Sequence, residues 1–157
     1  MTGSDEDPRA ESIHSLLREA HGHMSRKDIA SLVAELGPDE VPVAVTECEG
    51  LYLKGDKENC SLKNDYAKLV LTNSRLLVTW YGGDPPSQFR DNWARRTFSV
   101  PLSRIQVSDM DGRRFTVSAD GEVVIRVHNF NWSFWVMRKT VPKFHAQLVR
   151  AATSAIG

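Results

Sequence analysis

Three histidines close to the N-terminus are the first side chains in this sequence that have metal-binding chemistry. Imidazole nitrogens bind zinc and related ions, but no cysteine or carboxylate around His14, His21 and His23 completes a known ligand spacing. We interpret these residues as solvated side chains on, or just after, a surface helix. The sequence predicts no metal site and no cofactor.

An aspartate-rich segment and two cysteines are further residues whose side chains could bind metal ions or form a disulfide. The run Asp109-Met110-Asp111-Gly112 is similar to the start of a calcium loop, but it lacks the third carboxylate before the glycine and the later glutamate. A hairpin loop explains the same residues. Cys48 and Cys60 do not form a Cys-x-x-Cys pair and are too few for a disulfide framework, so we expect two reduced thiols.

Catalytic motifs are absent from the sequence. There is no glycine-rich phosphate loop, no Gly-x-Ser-x-Gly elbow and no His-Glu-x-x-His. Nothing nominates a nucleophile for a hydrolase or transferase, and no pair of carboxylates for general acid–base catalysis is evident. We therefore predict a protein that is not an enzyme.

The charges are unevenly distributed along the chain. Residues 1–66 carry 7 Lys/Arg and 14 Asp/Glu, whereas residues 67–157 carry 13 and 6. Either the acidic part offsets or docks on a basic body, or a basic face receives an anionic partner. The candidates for such a face are Arg90, Arg95, Arg96, Arg113, Arg114 and Arg126. A nucleic-acid ligand is disfavoured, because no recognised motif is present and each arginine pair points to opposite sides of a strand.

The 157 residues are enough for one domain. No apolar run approaches the roughly 20 residues of a membrane helix, and the acidic start lacks the layout of a secretory signal, so we expect a cytoplasmic protein. We predict a disordered N-terminus over residues 1–8, a helical extension over 9–38, and a β-rich domain over 41–157. The extension contains two short helices, the second capped by Ser25 and stopped by Gly37-Pro38.

One hairpin nearly specifies itself. With Asn73-Ser74 as a two-residue loop, Leu71 pairs with Leu76 and Leu69 pairs with Val78. These four side chains and Trp80 then share one apolar face, as a buried hairpin requires.

The remaining strands follow from turns and alternation. A first strand, Val41 to Cys48, is expected at a sheet edge because it contains Pro42, and residues 51–65 have a loop composition. Strands are predicted over 97–100, 104–108, 113–118 and 122–128. Met110-Asp111-Gly112 and Ala119-Asp120-Gly121 fit three-residue loops with a left-handed glycine.

Those loops predict a register for the last three strands. Ile105 and Val107 would face Val117 and Phe115, which in turn would face Val123 and Ile125. The other face then carries Arg114, Thr116, Val124, Arg126 and His128.

The chain ends in an amphipathic helix, and Thr140 as its N-cap would place Pro142 in the first turn, where no donor is lost. Residues 131–139 could form either an earlier helical turn or an extension of the last strand. A continuous apolar stripe from Phe134 to Leu148, along a helix that is kinked, also fits the sequence.

Seven antiparallel strands followed by one helix resemble the pleckstrin-homology (PH) superfold. The segment Leu69-Val70-Leu71-Thr72-Asn73-Ser74-Arg75-Leu76-Leu77 is similar to the hairpin of the bacterial PH-like, GRAM-type branch. The segment Phe98-Ser99-Val100-Pro101-Leu102-Ser103-Arg104-Ile105 is similar to its later strand corner. The resemblance covers about Val41 to Ala152 and implies an α+β fold: two orthogonal sheets forming a partly open, seven-stranded barrel capped by the C-terminal helix. The two N-terminal helices stand outside it.

The resemblance also implies where a ligand would bind. Domains of this superfold that hold phosphoinositides use basic residues of the first strand and the following loop. Here that loop alternates lysines with acidic residues and has no arginine, which argues against tight phosphoinositide binding. In the barrel, the loop over residues 81–94 opens on the same rim, so the candidate site is Lys54, Lys57, Lys63, Arg90 and Trp93.

The sequence therefore predicts a non-catalytic binding or scaffolding module whose partner is another protein. The alternative is a peripheral anionic membrane surface or lipid head group bound by Arg95, Arg96, Arg114 and Arg126.

Overall fold

The computed structural model describes residues 7–20, 24–48, 50–53, 67–79, 97–112, 114–128 and 137–156. Two helices come first, α1 (Pro8–Glu19) and α2 (Arg26–Glu35). Both starts follow from local chemistry. The Asp7 carboxylate accepts a hydrogen bond from the Arg9 N–H, and the Ser25 hydroxyl accepts one from the Asp28 N–H at 3.1 Å. The predicted Ser25 cap is confirmed.

Eight strands follow, and a long helix closes the chain. The strands are β1 (Pro42–Cys48), β2 (Gly50–Leu53), β3 (Ala67–Thr72), β4 (Arg75–Thr79), β5 (Thr97–Pro101), β6 (Ile105–Val107), β7 (Arg114–Ala119) and β8 (Glu122–His128). A short 3-10 helix, Leu102–Arg104, separates β5 from β6, and the closing helix is α3 (Met137–Ile156). Within the described chain the strands number eight, or seven when β1 and β2 are taken as the two halves of one bent strand.

The strands form two antiparallel sheets. Sheet 1 has the order β1-β3-β4-β5 and sheet 2 the order β2-β8-β7-β6. The chain passes from one sheet to the other between β1 and β2, and again through the 3-10 helix. Helix α3 packs against β1, the 3-10 helix and β6, so it covers the corner at which the two sheets are not paired. This is a partly open barrel capped by a helix, as expected.

The central hairpin has the predicted register. Leu71 pairs with Leu76 and Leu69 with Val78. All four side chains are buried in the core of the barrel, together with the buried stripe of α3: Val141, Phe144, Leu148 and Ala152. Trp80, the fifth member of the predicted face, lies outside the described residues. The edge position of β1 is also confirmed.

A second core lies on the opposite face of the same hairpin. Val70 and Leu77 alternate with the barrel-facing residues and are buried against the two N-terminal helices. This outer core contains Ile13, Leu17, Met24, Ile29, Leu32, Val33, Leu36, Val45, Val70 and Leu77. Helices α1 and α2 are therefore a layer of the fold, packed on the outer face of sheet 1.

Three predictions of local structure are wrong. Residues 51–53 were expected in a loop but form strand β2, which pairs with β8 from Gly50↔His128 to Leu53↔Ile125. The pairing partner lies more than 70 residues away, beyond the reach of local composition. Thr140 is not an N-cap, because α3 already begins at Met137 and contains Pro142 in its interior.

The third error concerns the loops between the last strands. Asp120-Gly121 is a two-residue turn with φ of 54° and 82°, and Ala119 pairs with Glu122. A register shift after Val117 then moves the pairing by one residue, so that Phe115 faces Val127 and not Arg126. The same bulge leaves Val124 buried in the barrel core, where a wet face was predicted.

The preceding hairpin is also displaced. Asp111 and Arg114 exchange backbone hydrogen bonds of 2.9 and 3.1 Å, so Asp111 is paired where the prediction placed it inside the loop. In the β6–β7 ladder Val107 faces Val117, and Ile105 faces Ala119. The pairing is displaced by two residues from the predicted register. Because side chains alternate between the two faces of a strand, an even displacement keeps the predicted side chains on the buried face. Gly112 has the predicted left-handed conformation, with φ of 62°.

Candidate functional site

The predicted rim site falls on parts of the chain that the structure does not describe. Lys54, Lys57, Lys63, Arg90 and Trp93 all lie there. The same holds for two members of the alternative basic face, Arg95 and Arg96. The rim groove therefore stays a prediction.

The other two arginines of the basic face lie on sheet 2. Arg114 pairs with His128, and Thr116 with Arg126, which puts both arginines on the face opposite the buried Phe115 and Val117. Arg114 is exposed and Arg126 is partly buried. The structure thus brings these two arginines to the outer face of one hairpin.

A groove between α1 and α2 is a concave surface that helices line on both sides. Its volume is about 560 Å³. One wall is a stripe of α1 at intervals of three or four residues: Asp7, Ala10, Glu11, His14 and Arg18. The other wall and the floor come from α2: Arg26, Ile29, Ala30, Val33 and Ala34.

Small side chains and buried aliphatics make the floor of this groove. Ala30 and Ala34 are exposed and short, and between them Ile29 and Val33 reach down into the outer core. The sheet side of the helices is thereby fixed by packing, while their outer side keeps an open channel.

The ends of the groove carry opposite charge. The start of α1 lies beside the end of α2, so the two helices run antiparallel. The Arg9 guanidinium, near the start of α1, donates to the carbonyl of Gly37, just beyond the end of α2, at 2.5 Å. Asp7 and Glu11 consequently lie at one end of the groove, and Arg18 and Arg26 at the other. His14 lies between them on α1.

Most of these polar side chains have no partner in the described chain. Asp7 is paired with Arg9 at 2.7 Å, which together with a backbone hydrogen bond lowers the pKa of the Asp7 carboxyl. Glu11, His14, Arg18 and Arg26 are exposed and form no hydrogen bond or ion pair with any residue of the described ranges. Their hydrogen-bonding capacity is directed to solvent or to a ligand.

One polar network holds the helical layer to the barrel. Glu40, which follows α2, is buried and accepts two hydrogen bonds from the Arg75 guanidinium, at 2.8 and 2.9 Å. It also accepts the Thr72 hydroxyl at 2.6 Å, the Ser74 hydroxyl at 3.0 Å and the Gly37 N–H at 3.0 Å. This carboxylate therefore connects the end of the helical layer to the β3–β4 turn.

The protonation of Glu40 reflects these contacts. Burial by itself would raise the pKa of the Glu40 carboxyl, but the hydrogen bonds from Arg75, Thr72, Gly37 and Ser74 outweigh it and lower the pKa to about 2. The group is thus ionised at neutral pH and acts as a fixed acceptor. Its surroundings give it a structural role.

Sequence reasoning missed both the groove and this anchor. A second stripe on α1, distinct from the buried Ile13 and Leu17, was readable as Asp7, Ala10, Glu11, His14 and Arg18, but the placement of α2 beside it was not. Nothing around Glu40 signals burial, since acidic side chains before a strand are ordinarily solvated.

Within the ranges given above, no three His, Cys, Asp or Glu side chains lie close enough together to hold a metal ion. None of the helices there is long and apolar enough to cross a membrane.

Comparison with known proteins supports the fold. No protein-family model and no curated protein matches this sequence. A crystal structure of N-terminally truncated linker-DH/PH domains of p115-RhoGEF aligns with a TM-score of 0.51 at 11% identity. The alignment covers 94% of this chain and 40% of that one, so the chain spans less than half the length of the aligned structure. At this identity the similarity shows a PH-like fold alone.

Proposed function

We propose that this chain is a non-catalytic protein-binding module of the PH-like superfold, of the bacterial GRAM-type branch that its hairpin motif resembles. The observation that carries the proposal is the groove between α1 and α2. It is concave, it has an apolar floor, and four of its polar side chains lack partners within the described chain. A few convergent polar groups around an apolar floor are typical of a binding site.

The support of the groove favours recognition of a partner. Its walls are two helices that share a buried core with β3 and β4 and are held at one end by the Glu40–Arg75 pair. A surface on such a rigid support loses little conformational entropy when a partner docks. Its affinity for the partner is therefore higher than that of a flexible surface with the same contacts.

An anionic membrane surface is the second candidate. The observation in its favour is the placement of Arg114 and Arg126 on the same outer face of sheet 2. Two arginines supply roughly 2 kcal/mol of attraction to an anionic leaflet, which is weak unless further basic residues join them.

One set of measurements separates the two. The purified chain is used for affinity capture from extracts of its native cell, and in parallel it is titrated with neutral and anionic vesicles and with a DNA duplex at low and high salt. We expect a stoichiometric protein partner whose capture survives moderate salt, and no vesicle or DNA binding at physiological ionic strength. Vesicle binding that Arg114→Glu weakens, with no protein captured, would replace this proposal by the membrane one.

A further inference from the structure

The groove between α1 and α2 has the shape of a seat for a third helix. We propose that it binds one amphipathic α-helix of a partner protein, with an acidic turn at one end and a basic turn at the other. The inference rests on the proposed function and names the class of ligand for the same groove.

The length and floor of the groove fit a helix. From Asp7 to Arg18 the α1 wall spans eleven residues, or about 17 Å along the axis, which matches roughly three helical turns. Ala10, Ala30 and Ala34 are short enough to let a third helix approach to the usual 8–10 Å between axes.

The backbone chemistry of the groove favours a helical ligand over an extended one. Every residue that lines it belongs to α1, to α2 or to the N-cap of α1. Away from the helix ends, N–H and C=O groups are already paired along their own helix, so these walls offer no strand edge. An extended peptide would bury unpaired backbone groups against Ile29 and Val33, whereas a helix pairs its own.

The charges define the orientation of the ligand. Arg18 and Arg26 at one end have no partner within the described ranges, and neither has Glu11 at the other. A helix whose acidic turn lies over the two arginines and whose basic turn lies over Glu11 satisfies both ends. Each such exposed pair contributes at most about 1 kcal/mol, so the charges select the register while apolar contact supplies most of the affinity.

The test is a selection from a displayed library of peptides about 16 residues long, a little over four turns, against the full chain. We expect the enriched sequences to carry apolar residues at i, i+3, i+4 and i+7, with acidic side chains towards one end and basic ones towards the other. One enriched peptide is then synthesised, its helicity on binding is measured by circular dichroism, and its affinity is measured by calorimetry.

Two variants locate the site. Ala30→Trp fills the floor of the groove from an exposed position. We expect this variant to bind the peptide at least tenfold more weakly and to keep the melting temperature of the parent protein. Lys27→Trp is the matched control, because Lys27 is exposed on α2 and does not line the groove. Arg18→Glu with Arg26→Glu is expected to weaken the same peptide about tenfold and, in a second selection, to remove the preference for an acidic end.

Several outcomes overturn the inference. Peptides that bind Ala30→Trp as tightly as the parent would show a protein-binding module that uses another surface, which leaves the proposed function standing. Enriched peptides without helical periodicity, or a dimer of the chain that Ala30→Trp dissociates, would assign the groove to a different occupant. If no peptide is enriched and no protein is captured from extracts, the inference and the proposed function fall together.

Discussion

Glu40 and Arg75 form a two-pronged ion pair across 35 positions of sequence, with Nε–Oε2 and Nη2–Oε1 distances of 2.8 and 2.9 Å. The Glu40 side chain is 7% exposed and that of Arg75 is 26% exposed. Arg75 also donates to the Glu35 carbonyl at 2.9 Å, so its guanidinium contacts both the end of α2 and the linker that follows. The pair thus links the end of the helical layer to sheet 1, in addition to the packing of the outer core.

Removal of the charge of Glu40 is expected to destabilise the protein. Glu40→Gln keeps the shape of the side chain but leaves Arg75 without its anion, and we expect the free energy of unfolding to fall by roughly 2–3 kcal/mol. Urea denaturation of the parent and the variant measures this change in the free energy of unfolding. The matched control is Asp120→Asn, which removes the anion of the exposed Arg104–Asp120 pair and should change stability little, because exposed ion pairs are screened by water. Equal losses in the two variants would contradict the assigned role of Glu40.

The same carboxylate predicts how stability depends on pH. The pKa of Glu40 is lowered in the folded protein from 4.5 to about 2. A depressed folded pKa stabilises the protein fully above the unfolded pKa, and this contribution is lost as the pH falls from about 4.5 towards 2. We expect the stability difference between the parent and Glu40→Gln to be constant near neutrality and to shrink across that interval. A difference that is unchanged down to pH 2 would refute the shift.

Two buried threonines should respond oppositely to loss of their hydroxyl groups. Thr72 donates to Glu40 and accepts from the backbone N–H of Ser74 and Arg75, at 3.2 and 3.0 Å. Thr79 is fully buried, and among the described residues its hydroxyl has no hydrogen-bond partner. Thr72→Val should therefore cost about 1–3 kcal/mol, while Thr79→Val should be neutral or stabilising by up to about 1 kcal/mol. Thermal and urea unfolding of both variants test this, and a clear loss in Thr79→Val would reveal an overlooked partner.

The helical layer is expected to unfold together with the barrel. Leu32 on α2 is fully buried in the outer core, and Leu32→Ala should lower the free energy of unfolding by about 2–5 kcal/mol. Circular dichroism at helical wavelengths and near-ultraviolet signals from the barrel should shift together in one transition, because Val70 and Leu77 lie between the two layers. An early helical transition with an unmoved barrel would show an independent appendage instead.

The parts of the fold that sequence predicted are those specified by neighbouring residues. The β3–β4 register follows from a two-residue loop and strict alternation, and the cap of α2 follows from Ser25, three positions before Asp28. Gly112 and Gly121 are left-handed as expected, because both the predicted loops and the observed turns place them at positions that favour glycine.

The parts that sequence did not predict depend on distant partners. Strand β2 exists because β8 lies beside it, and the bulge after Val117 exists because a two-residue turn at Asp120 would otherwise put Arg126 against Phe115. The groove arises from the relative placement of two helices, which each helix alone does not encode. Glu40 is buried only because Arg75 and Thr72 are brought to it by the hairpin.

The double-sided burial of the β3–β4 hairpin has a consequence for how such a chain can be recombined. Excision of the helices would expose Val70 and Leu77 as an apolar patch in the middle of a sheet. Such a surface is prone to association with other chains. The barrel and its helical layer must therefore be inherited, transplanted or fused as one unit, cut before Asp7 and not at the start of the first strand.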